Sequence, residues 1–96
     1  IDGFTENVMP LEPIDKKWGA FNFDVQVING NNLEEIYNAI EKAKATFNKP
    51  SVIICKTIPG KGVAEFEQDY HWHGKAPNKE QTEVALKQLK ETLGDF

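Results

Sequence analysis

Ninety-six residues leave room for one domain and not two, and 40% hydrophobic with 27% charged side chains is a globular rather than a disordered composition. The formal net charge is −4 and every basic residue is lysine, which excludes the basic face of a general nucleic-acid binder and the arginine fork often used to clamp phosphates. No run approaches the ~18 apolar residues of a membrane span, no basic leader precedes an apolar stretch, and the lone Cys55 cannot form an intrachain disulfide, so a cytoplasmic protein is expected.

Residues 1–12 read as an irregular lead-in, with Asp2-Gly3 as a turn and Pro10 and Pro13 as punctuation. From Pro13 the spacing predicts a helix, because Ile14, Lys17, Trp18 and Phe21 fall on one face. Phe23, Val25 and Val27 then alternate with Asp24 and Gln26, a strand that ends at Asn29-Gly30. Leu33, Ile36, Tyr37, Ile40, Ala43 and Phe47 keep a helical period; Asn32 is placed to cap that helix, with Glu35 completing a capping box and Asn48-Lys49-Pro50 closing it. Ser51 to Lys56 is a strand apolar on both faces, as in a buried parallel sheet. Strand, helix and strand make a βαβ unit with a right-handed crossover expected. Residues 57–77 show no periodic pattern, and a final helix is predicted from Asn78, with Gln81 at its third position, through Ala85, Leu89 and Leu93 to Gly94. The fold class is therefore α/β, and two strands alone make too small a sheet. The chain opens on Ile1 rather than Met, as either a processed protein or an excerpt of a longer one would. With one strand apolar on both faces, it reads as part of a larger sheet carrying one functional loop.

That loop holds Lys56-Thr57-Ile58-Pro59-Gly60-Lys61-Gly62 and Tyr70-His71-Trp72-His73-Gly74. It follows a strand's carboxyl end, where open α/β sheets bind ligands. Gly60 and Gly62 would let the backbone approach an anion, although a plain glycine turn explains them as well. No Lys-Ser/Thr pair follows, so this is not a nucleotide-kinase phosphate loop. His71 and His73 admit three readings: packing beside Trp72, a shared metal with Glu65, Glu67 or Asp69 if the segment is extended, or a hydrogen bond to a phosphate or substrate oxygen.

Four stretches in order resemble the transketolase family: Ile1-Asp2-Gly3 with Met9-Pro10-Leu11-Glu12-Pro13; Lys17-Trp18-Gly19-Ala20-Phe21; Lys56-Thr57 with Gly60-Lys61-Gly62-Val63; and Trp72-His73-Gly74-Lys75-Ala76-Pro77. They resemble the carboxyl-terminal part of that family's pyrophosphate-binding domain, or of the amino-terminal subunit where the enzyme is split, over residues 1–96. The resemblance implies a partial three-layer thiamine-diphosphate-binding fold. It also implies a transferase of the pentose phosphate pathway that moves a two-carbon ketol unit between sugar phosphates, and a dimeric parent. The resemblance further implies that His73 takes the catalytic and cofactor-binding role of the family's Trp-His-Gly histidine, that Ile1 borders the thiamine rings, and that Gly60, Lys61 and Gly62 lie close to the cofactor. Pro59 stands where some members have a lysine, which leaves Lys61 or a backbone amide to replace it. His71 matches no functional histidine of the pattern.

The resemblance also implies what lies elsewhere. The family's Gly-Asp-Gly motif and its later Asn, which hold Mg²⁺ (or Ca²⁺) against thiamine diphosphate, are not in this sequence, and neither is the activating Glu. The expected partners are the remaining transketolase domains or the complementary carboxyl-terminal subunit, with no catalysis and no cofactor binding by this chain alone. Two other readings stand beside it: a non-catalytic truncated interaction module, and a small metal-binding protein built on His71 and His73.

Overall fold

The computed structural model describes residues 1–89, which fall into two compact units: Thr5–Thr57, and Ile1–Phe4 together with the residues from Ile58 onward. The first unit is the α/β part. It runs α1 (Thr5–Val8), α2 (Ile14–Ala20), β1 (Asp24–Asn29), α3 (Leu33–Lys44) and β2 (Ser51–Lys56). β1 and β2 pair in parallel, in register from Asp24 opposite Ser51 to Asn29 opposite Lys56. This is the predicted βαβ unit. The lead-in, expected to be irregular, contains the single helical turn of α1.

Local chemistry explains the boundaries. α2 stops before Phe21 because Asn22 takes the left-handed conformation (φ 65°), an asparagine-compatible helix ending, with its N–H donating to the Gly19 carbonyl at 2.9 Å. Phe21, expected on the helix's apolar face, lies just beyond it and is exposed. Trp18 instead meets Phe23 edge-on at 4.9 Å between ring centroids. Asn32 caps α3 by accepting from the Glu34 and Glu35 amides at 3.0 and 3.2 Å. The expected capping box is only half made, because the Glu35 carboxylate accepts from the Asn29 amide at 2.7 Å. α3 therefore ties its own first turn to the end of β1. It ends at Lys44, leaving Phe47 outside the helix and exposed.

The face of β1 that meets α3 is the polar one. Gln26 is buried and donates from Nε2 to the Ala39 carbonyl at 3.0 Å, whereas Val27 on the opposite face is half exposed. Ala39 is the buried residue of α3; Leu33, Tyr37 and Ile40 remain exposed beside it. Val52, Ile53 and Ile54 of β2 are half-buried, although the sequence suits a strand covered on both sides. On the α2 side, Asp15, Lys16, Gly19, Phe23, Asp24, Val25, Val27 and Lys49 line an open pocket of ≈ 450 Å³, and Asp24 Oδ2 is buried without a hydrogen-bond partner. Both features fit a sheet whose further neighbours lie outside these residues. Glu12 joins the α2 segment to the end of β2: Oε1 accepts from Lys56 Nζ at 2.7 Å and Oε2 from the Ile14 amide at 3.1 Å.

The second unit holds a 3₁₀ turn (Tyr70–Trp72) and α4 (Lys79–Gln88), with Val63 and Ala85 buried. α4 opens on the predicted capping box, with Asn78 and Gln81 exchanging 2.9 Å bonds. The predicted continuation to Leu93 and Gly94 lies outside the described residues.

Candidate functional site

The loop between β2 and α4 is ordered by its own contacts. Gly60 sits at φ 73° and a Cβ there would lie 2.5 Å from the Phe66 carbonyl oxygen, so both the conformation and the packing require glycine. The Gln68 amide returns to the Pro59 carbonyl at 3.0 Å and closes the glycine segment into a compact turn. Trp72 braces it from the other side. Its Nε1–H donates to the Glu65 carbonyl at 3.0 Å, its ring lies 4.3 Å from that of Phe66, and Lys75 Nζ stands 4.7 Å over it. Glu65 and Gln88 extend the brace to α4, where Gln88 donates to Glu65 Oε2 and accepts from the Ala64 amide, both at 2.8 Å. The Gln88 amide is also the main reason that the Glu65 carboxyl is held below its ordinary range.

His73 leaves the end of the Tyr70–Trp72 turn, its amide bonded to the Tyr70 carbonyl at 3.0 Å and its side chain exposed. One unit thus holds Gly60, Lys61, Gly62 and His73, joined through Phe66 and Trp72. Ile1 belongs to it too: it is exposed, and the adjoining segment reaches the turn where Phe4 meets Tyr70 edge-on at 6.1 Å. The extended segment on which a shared metal site depended is not formed. His71 lies inside the 3₁₀ turn and His73 just beyond it, so the two do not share one face of an extended strand. His71 instead turns to Asp69, whose carboxylate takes both its Nδ1 (2.7 Å) and its amide (3.0 Å). Among the described residues no group of three or more His, Cys, Asp or Glu is placed to hold a metal ion.

Glu67 has a role that residue spacing did not disclose. Its Oε1 accepts from the Gly62 amide at 3.1 Å and lies 3.4 Å from Lys61 Nζ. The Gly62 amide first, and Lys61 after it, hold this carboxyl below its ordinary range. The glycine turn can therefore present a backbone N–H and an ammonium to a single anionic oxygen. That donor set fits the diphosphate end of a cofactor such as thiamine diphosphate.

Residues 1–95 match the family described as "Transketolase, thiamine diphosphate binding domain". The chain belongs to the transketolase family. It is 41% identical over 94% of its length to a 6-deoxy-6-sulfo-D-fructose transketolase subunit of Clostridium sp. (strain MSTE9), covering 33% of that protein. It is 38% identical over 97% of its length to an apulose-4-phosphate transketolase subunit of Phocaeicola vulgatus, again covering 33%. A transketolase of Sinorhizobium medicae is 36% identical over 79% of the chain, which covers 11% of that enzyme. This transketolase-family chain thus spans about a third of the length of the subunits it resembles. The two-stranded sheet and flanking helices agree with a partial thiamine-diphosphate-binding fold.

Proposed function

We propose that this chain is the carboxyl-terminal part of a thiamine-diphosphate-binding domain and works within a larger transketolase. That enzyme transfers a two-carbon ketol unit from a ketose phosphate, or a similarly anionic ketose, to an aldose phosphate. The observation that carries the reading is the Trp72-braced loop, which joins the Gly60–Gly62 turn and His73 in one unit. Two of the subunits it resembles are named for a sulfo-sugar and a sugar phosphate, which supports a substrate with an anionic end.

In this reading His73 donates a hydrogen bond to the diphosphate or to a substrate oxygen, and Gly62 and Lys61 offer donors to the anionic end of the cofactor. Ile1 borders its rings. Thiamine diphosphate, when bound, supplies the carbanion chemistry, while the protein supplies orientation and charge. Mg²⁺ or Ca²⁺ is held by residues outside this chain. The remaining domains or a complementary subunit complete the site, in a dimeric parent.

The test uses the complete protein with its complementary subunit, thiamine diphosphate and Mg²⁺. Ketol transfer is measured with sugar phosphates and with 6-sulfo sugars as donors. Transfer is expected, and His73→Ala should lower kcat/KM or cofactor affinity by roughly 100-fold with unchanged circular dichroism. Absence of transfer with every donor would remove the reading; unchanged kinetics in the variant would remove His73 from the site.

A further inference from the structure

We propose that Lys61 and the Gly62 N–H form an anion subsite whose occupant in the free protein is the Glu67 carboxylate, displaced when a phosphate or diphosphate group binds. The identification of that anion with the cofactor's diphosphate rests on the transketolase reading; the subsite and its internal occupant do not.

Three observations support it. The two donors converge on one oxygen, Glu67 Oε1, at 3.1 and 3.4 Å, both longer than the ~2.8 Å usual for a charge-assisted bond. The carboxylate is thus held loosely, and both side chains remain in contact with water. The position of Gly62 suits glycine: it lies at φ 108°, and a Cβ on it would meet Leu89 Cδ2 at 3.1 Å, which leaves its N–H facing Glu67 with no side chain in between. The Glu67 amide is bonded to the Val63 carbonyl at 3.1 Å, so only side-chain rotation is needed to open the seat. Finally, among the described residues Lys61 is the charged group that faces Glu67. A multiply charged anion gains more from that ammonium and N–H than one carboxylate does.

A plain structural brace would have the same static geometry, and binding separates the two. Inorganic pyrophosphate is titrated by calorimetry at neutral pH into the complete protein, its Glu67→Gln variant and its Lys61→Ala variant. Removing the internal charge should tighten pyrophosphate by about three- to tenfold, and removing the ammonium should weaken it by a similar factor. In a second measurement, sulfate binding to the unmodified protein is followed as pH is lowered. Because the Glu67 carboxyl is held below its ordinary range, its carboxylate competes with an added anion at neutral pH and stops competing only as pH falls through that lowered value; sulfate affinity should rise there, while the Gly62 amide resonance moves. Equal or weaker pyrophosphate binding by Glu67→Gln, or sulfate affinity flat with pH, overturns the proposal. If transfer activity is absent but these binding shifts occur, the subsite stands and the transketolase reading falls; if transfer occurs without them, the subsite alone falls.

Discussion

Replacing Trp72 with alanine tests whether the loop is a self-supporting scaffold. The indole makes three separable contacts: the Nε1 bond to the Glu65 carbonyl at 3.0 Å, the ring contact with Phe66 at 4.3 Å, and the Lys75 ammonium at 4.7 Å. Each contributes about 1 kcal/mol in a protein setting. The ring is only half-buried and water reclaims part of each contact, so the loss is about 2 kcal/mol rather than three times the single value. At 1.4 kcal/mol per factor of ten, local opening becomes roughly 30-fold more frequent. Native-state hydrogen exchange on the complete protein reads this directly, at the Trp72 amide bonded to Asp69 and the His73 amide bonded to Tyr70. Both should lose roughly 30-fold protection, while the β1–β2 ladder keeps its own. Trp72→Phe should retain the ring contact and lose about tenfold. Unchanged exchange at His73 in the alanine variant would show that something other than Trp72 orders this segment.

Three further outcomes follow from named contacts. Asn32→Ala removes the acceptor for two amides at the start of α3 and should lower stability by about 1 kcal/mol in denaturant unfolding, with Asn32→Asp close to neutral. Gly60→Ala places a side chain at φ 73° against the Phe66 carbonyl and should cost about 2 kcal/mol or more, read as faster proteolysis within the loop. The Asp69 carboxyl is held below its ordinary range, first by the His71 amide and then by the His71 ring. Its contribution is therefore full above the ordinary aspartate range and lost only as pH falls through the lowered value. In an NMR titration His71→Ala should recover part of the shift, because the backbone donor remains; complete recovery would show that the ring, not the amide, is the main cause.

Elements governed by local chemistry were legible in the sequence. The βαβ unit followed from the period of Leu33 through Ala43 and the apolar run of Ser51–Lys56, and the Asn78–Gln81 box followed from its spacing. Departures arose where a distant group competed with a local one. Glu35 suits its own capping box but finds the Asn29 amide, and the Phe47 position extends a period that the helix itself abandons at Lys44. The glycine turn and Trp-His-Gly were visible as motifs, yet nothing in their spacing connected them, because the link passes through Phe66 and the Glu65 carbonyl. Glu67 was legible only as a carboxylate with metal-binding potential. Its contact with Gly62 exists because the chain folds back at Val63, where the Phe66 and Glu67 amides share the Val63 carbonyl. Lining up Gly62 and Glu67 across that bend is the signal a closer reading would use.

The buried bond from Gln26 to the Ala39 carbonyl acts like an index pin between a rod and a plate. Apolar side chains between a helix and a sheet tolerate sliding, since one methylene contact replaces another with little change in energy. An amide donor with a single acceptor does not: moving α3 along β1 by one residue leaves a buried N–H unmatched. The axial position of α3 is thus specified by direction as well as by fit, and the start of β2 inherits that position through the short connection after Lys44. A leucine at this site would fill the same space and remove that discrimination, leaving a helix that packs equally well in more than one place.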